Sequence, residues 1–141
     1  LDFSNEKNRK LYRIGRGEQG VLLVRPYTNF ICAHWRFKTP PEAIKSSNKI
    51  FSIYLDYRDA GDFIGMDMCR KFLEMGFTRA RRYANHNSGK KYDSEGNVKP
   101  QEPDHMTSKY AQSARIFKHV RDLVAKSDDY VRMRKEWRSS E

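Results

Sequence analysis

The stretch 62–76, DFIGMDMCRKFLEMG, narrows what this chain can fold into more than any other. At about 100° per residue its polar members, Asp67, Arg70, Lys71 and Glu74, share an arc of about 100°. Phe63, Ile64, Met66, Met68, Cys69, Phe72, Leu73 and Met75 take the remainder. A helix apolar over most of its circumference must be surrounded, so this one is expected to be the buried centre of the core. Asp62 suits its N-cap and Gly76 its end. The polar strip reads as a solvated face with Asp67–Lys71 and Arg70–Glu74 pairs four residues apart. The methionines and Cys69 read as interior filling rather than as functional groups.

Other elements are placed around that centre. Thr39-Pro40-Pro41-Glu42 combines a Thr cap, Pro at the first helical position and a capping-box Glu, which predicts a helix running to about Ala60. Its apolar face includes Ala43, Ile50, Ile53 and Tyr54. Residues 21–27 and 30–37 read as an antiparallel hairpin with Pro26-Tyr27-Thr28-Asn29 as the turn, and Leu11–Ile14 as a short strand before it. Alternation then puts Leu22, Val24, Ile31, Ala33 and Trp35 on a core face, with His34 and Arg36 on a mixed one. Downstream, Thr78 is read as the cap of a short helix ending at His86, and 87–103 as a surface loop. Two helices follow, from Asp104 or Thr107 to Ala125 and from Ser127 onward. The expected fold is α+β: a small N-terminal antiparallel β-hairpin sheet packed with four to five helices. It forms one domain over residues 1–141, with 1–10 as a loose lead-in.

Charge supplies the main functional hint. The net charge is +10, and residues 70–91 hold Arg70, Lys71, Arg79, Arg81, Arg82, Lys90 and Lys91 against Glu74 alone. On the short helix Arg79, Arg82 and His86 fall on one side, opposite Phe77, Ala80 and Ala84. Arg81 lies near the edge of the buried side, where an internal ion pair is the expected role. Guanidinium groups donate paired hydrogen bonds to phosphate, so the expected ligand is nucleic acid or another polyanion. The anion-binding set is Arg79, Arg82, His86, Lys90 and Lys91, with His34 and Arg36 as secondary candidates. A solvated basic face with structural ion pairs accounts for the same cluster nearly as well.

Catalytic parts are sparse. Gly15-Arg16-Gly17-Glu18-Gln19-Gly20 is formally G-x-G-x-x-G, but strand-like residues follow it instead of a helix, so a plain glycine-rich turn is favoured over a phosphate cradle. Cys32-x-His34 has no partner pair at zinc-finger spacing, so no metal or cofactor is expected. His86 beside arginines suits a general acid or base, without paired carboxylates to hold a metal. Cys32 and Cys69 read as free thiols of a reducing compartment. No run of about 18 apolar residues occurs and no signal-peptide pattern opens the printed sequence, so a cytoplasmic, non-membrane protein is expected.

Residues 11–24 (LYRIGRGEQGVLLV), 34–39 (HWRFKT) and 65–86 (GMDMCRKFLEMGFTRARRYANH) carry a resemblance. Together they look like a domain-of-unknown-function family of bacteria and tailed phages, including phages of marine cyanobacteria. The resemblance covers roughly the first two-thirds of the chain. It implies a small intracellular, phage-type protein and transfers no functional residue. Three readings remain open: nucleic-acid binding, an enzyme acting on a nucleotide or small phosphorylated anion between the basic helix and the hairpin, and a protein-interaction module.

Overall fold

The computed structural model describes residues 2–86 and 88–141. The chain folds into helices: α1 (Glu6–Arg9), α2 (Tyr27–Cys32), α3 (Pro40–Asp59), α4 (Phe63–Asn85), α5 (Lys109–Ala125) and α6 (Asp128–Ser139), with a 3₁₀ turn at Val21–Leu23. Among the described residues the only β pairing is two isolated bridges, Asp2–Arg25 and Tyr92–Val98. The fold is therefore all-helical, and the expected α+β architecture with its hairpin sheet is overturned. The hairpin fails for a reason visible in its own residues. Val21, Val24, Tyr27, Thr28 and Ile31 are the buried positions, and their three-and-four spacing is that of a helix. Leu22, assigned to the core face by alternation, is 52% exposed. The Thr28 hydroxyl fixes this bend by donating to the Val21 carbonyl at 2.7 Å and accepting from the Val24 amide at 3.1 Å.

Helix α3 begins where its cap chemistry puts it, with the Thr39 hydroxyl accepting from the Glu42 amide at 3.3 Å. Helix α4 starts at Asp62, whose carboxylate accepts from the Gly65 amide at 3.2 Å. That carboxylate also takes the Arg9 guanidinium at 2.9 Å and the Tyr27 hydroxyl at 2.5 Å, which ties α1 and α2 to the start of α4. Phe3 is buried in the same core.

Helix α4 does not stop at Gly76. It runs on to Asn85, so the expected short helix capped by Thr78 is the second half of one long helix. Thr78 instead donates its hydroxyl to Glu18 at 2.7 Å. Glycine inside a helix costs about 1 kcal/mol relative to alanine. Here α5 offsets that cost: a Cβ at Gly76 would overlap the ring of Phe117. Closest approach of the two helices requires the missing side chain. Gly65 plays the same part against the ring of Tyr57 on α3.

Helices α2, α3, α5 and α6 surround α4, which is the spine its apolar circumference demands. Helix α5 contributes Ala111, Ala114, Phe117, Val120 and Val124 at helical spacing. Helix α6 docks by Tyr130 and Trp137, both stacked against Phe63 at 5.7 and 5.4 Å between ring centroids. The Trp35 indole N–H donates to the Phe72 carbonyl at 3.0 Å, so this ring packs on the core. The segment 88–103 is a mostly exposed turn held by a Lys99 amide to Lys91 carbonyl bond of 2.8 Å.

Candidate functional site

The second half of α4 leads directly into the predicted anion-binding set. Arg82, His86 and Lys91 line one cavity of about 330 Å³, together with Arg81, Asn85 and Gln101. Arg82 sits in the last turn of α4, where its charge complements the helix dipole. The loop then returns so that Lys91 faces the same opening. Arg79 is half-buried and Lys90 exposed, and neither lines this cavity. The ion pairs among the described residues engage Arg9, Arg58, Arg70, Lys71, Arg121 and Arg132, and none involves Arg79, Arg82, Lys90 or Lys91.

His86 differs from its expected place on an exposed face. It is only 6% exposed, and its Nδ1 is buried without a hydrogen-bond partner among the described residues. Its backbone amide closes the helix on the Arg82 carbonyl at 2.9 Å. Arg81 donates to the His105 carbonyl. Burial and the nearby Arg115 lower its pKa from the ordinary value.

The secondary candidates lie elsewhere. His34 and Arg36 line a separate cavity of about 780 Å³ with Glu42, Lys45, Ser46 and Lys49. The Ser46 hydroxyl holds that edge by donating to the His34 carbonyl at 2.7 Å and accepting from the Arg36 amide at 2.9 Å. These residues and the Arg82 cavity therefore do not form one pocket.

The structure also holds a polar centre inside the first half of α4. Asp67, expected on a solvated strip, is fully buried. It accepts from the Tyr12 and Tyr130 hydroxyls at 2.5 Å each and from Arg70 Nε at 2.7 Å, with Lys71 Nζ at 3.9 Å. Lys71 is itself only 1% exposed and lies over the Tyr12 ring at 4.8 Å. Burial lowers its pKa from 10.5 to about 8 against the opposing pull of Asp67. Burial and then the Asp67 charge raise the Tyr12 and Tyr130 phenols well above their ordinary value, so both remain donors. Arg70 reaches past Asp67 to the Gly17 carbonyl at 2.8 Å. The expected Arg70–Glu74 pair does not form; Glu74 binds Arg121 at 2.7 Å. Sequence reasoning missed this centre because its members come from α1's flank, α4 and α6. Its one local signal is an aspartate on a nearly all-apolar helix.

No group of three or more His, Cys, Asp or Glu side chains among the described residues is arranged to hold a metal ion. No helix among them is long and apolar enough to cross a membrane. Both cysteines are free thiols. Neither the curated proteins nor the solved structures provide a match to the chain. A family model does match, and over nearly the whole sequence rather than the first two-thirds. The chain belongs to the family described as domain of unknown function (DUF4385), whose model covers residues 1–140.

Proposed function

We propose that the protein binds nucleic acid along the basic surface at the end of α4. The observation that carries this reading is a cavity whose charged lining is wholly cationic, Arg81, Arg82 and Lys91, with Asn85 and Gln101 beside them as hydrogen-bonding groups. Arg82 and Lys91 contact phosphate oxygens, and Arg79, one turn earlier on α4, and Lys90, next to Lys91 in the sequence, add positive charge to the same region. Such contacts bind the backbone without reading sequence. The overall charge of +10 adds long-range attraction to any phosphate chain. Two free thiols fit a reducing compartment, where nucleic acid is found.

Fluorescence anisotropy with short DNA and RNA at rising salt tests the reading. Affinity should fall with a log–log slope of about −0.9 per phosphate contact on duplex DNA. The double charge reversal Arg79→Glu/Arg82→Glu should weaken binding at least tenfold, about two charge-assisted contacts being lost. Absence of binding at low salt, or equal affinity of the reversed variant, overturns it.

A further inference from the structure

A larger cationic cavity lies away from the end of α4. It measures about 900 Å³ and lies between the glycine-rich loop, the first half of α4 and the outer side of α6. Its charged lining is Arg16 from the loop, Arg70 from α4, and Arg134, Lys135 and Arg138 from α6. No carboxylate lines it. We propose that this cavity is a second, separate binding site, for a small anion carrying linked phosphates such as inorganic tripolyphosphate or a nucleoside triphosphate.

Three observations converge on that class of ligand. Four of the five cations, Arg16, Arg134, Lys135 and Arg138, make no ion pair among the described residues, and only Arg70 has one, to Asp67. On α6 Asp129 and Glu136 pair with Arg132 on another side of the helix, and the remaining acidic residue of α6, Asp128, makes no ion pair among the described residues. Asp67 stands behind Arg70 but is shared with Lys71, so the buried group keeps a positive excess. Like charges gathered on a concave wall repel one another, and an anion between them removes that repulsion.

The second observation is the setting of Arg70. Its Nε is fixed by Asp67 and its Nη1 by the Gly17 carbonyl, which leaves Nη2 buried with no partner among the described residues. A guanidinium oriented in this way is preorganised for an oxygen ligand and loses little freedom on binding one. An unpaired buried donor is costly, and it leaves Arg70, a residue of the cavity wall, with hydrogen-bonding capacity that the described residues do not use.

Size and shape supply the third. A single phosphate would engage one or two of these five cations, whereas a cavity of about 900 Å³ has room for a drug-sized ligand. Gly17 at the rim has a φ of 56°, and a Cβ there would meet nothing within 4 Å, so the loop backbone leaves the entrance open. The loop runs into a 3₁₀ turn and not into a helix of useful length, so the side chains, not a helix N-terminus, supply the positive charge. The sites differ in residues, so this proposal stands apart from nucleic-acid binding at Arg82 and Lys91.

Isothermal titration calorimetry of the full chain with tripolyphosphate and with a nucleoside triphosphate, against sodium sulfate at matched ionic strength, tests it. Both phosphate chains should bind once per molecule, and sulfate should not compete. Tighter binding of the nucleotide assigns a contact to the base, while equal binding assigns recognition to the phosphates alone. Arg134→Gln/Arg138→Gln replaces partly or fully exposed cations that have no ion pair among the described residues, and circular dichroism should show the fold intact. It should weaken both ligands by about a hundredfold, about tenfold for each charge-assisted contact. The control Lys7→Gln/Lys10→Gln, which removes two exposed cations that line neither cavity, should leave them unchanged. No heat with either phosphate chain, or equal weakening by both double variants, overturns the proposal.

Discussion

The two halves of α4 belong to one continuous helix but treat charge in opposite ways. In the first half Asp67 and Lys71 are buried, and Arg70 is nearly so, each answered by a named partner. In the second half Arg79 and Arg82 stand without an ion pair among the described residues, and the helix there turns small residues, Ala80 and Ala84, toward its neighbours. The difference follows from what packs on each half. Helix α6 and the Tyr12 segment close over the first, so its charges must be satisfied within the protein or lost. Arg82 is exposed, and solvent balances its charge. Charged side chains on one helix thus serve two purposes: a specific internal knot and an open basic surface.

Removing Asp67 tests the knot most severely. Asp67→Asn leaves Arg70 and Lys71 facing each other without their carboxylate and should destabilise the fold by about 3–5 kcal/mol in urea denaturation. A loss below about 1 kcal/mol, the scale of a surface pair, would erase the contrast between the halves.

Lys71 gives a smaller effect with a defined sign. Its folded pKa of about 8 lies below the ordinary 10.5, so between those values the unfolded chain binds a proton that the folded chain has released. Stability must rise with pH where the unfolded state holds more protons. Above an ordinary 9.0 for Cys69 and 10.0 for Tyr12 and Tyr130 the slope turns, because burial keeps those groups protonated in the fold after the unfolded chain has lost their protons. Urea titrations should therefore show a net gain of about 0.5 kcal/mol from pH 8 to 9, the Lys71 gain partly offset by Cys69, followed by a decline. In Lys71→Met the gain should vanish and the decline remain. A wild-type profile already falling across that interval would place Lys71 in a wetter setting than the fold gives it.

What could be read from the sequence follows the range of the forces involved. The starts of α3 and α4 were legible because Thr39 and Asp62 cap through contacts three residues away. The buried spine was legible because its apolar circumference is a property of the segment itself. Gly76 was read as an end because nothing local shows that Phe117 will occupy the space of its missing side chain. The hairpin was misread because a short apolar run fits strand and helix alike, and only the tertiary burial of Val24, Thr28 and Ile31 decides between them. For the candidate sites, the Arg82–His86 spacing placed both beside one cavity, but the return of Lys91 to it depends on the loop fold. The cationic wall of Arg16, Arg70, Arg134 and Arg138 is assembled from three distant segments and has no local signature.

The mildest perturbation probes the open half of the comparison. Arg82 occupies the last turn of α4, where a cation is favourable near the helix C-terminus by about 0.3–1 kcal/mol at most. It makes no ion pair among the described residues, so Arg82→Gln should lower stability by no more than about 1 kcal/mol. Chemical denaturation of this variant, set beside its nucleic-acid affinity, separates two roles. If Arg82 serves phosphate, affinity falls while the denaturation midpoint scarcely moves. A midpoint loss as large as that expected for Asp67→Asn would instead mean that the second half of α4 is held by its charges as the first half is, and the basic surface would then be part of the fold's own balance.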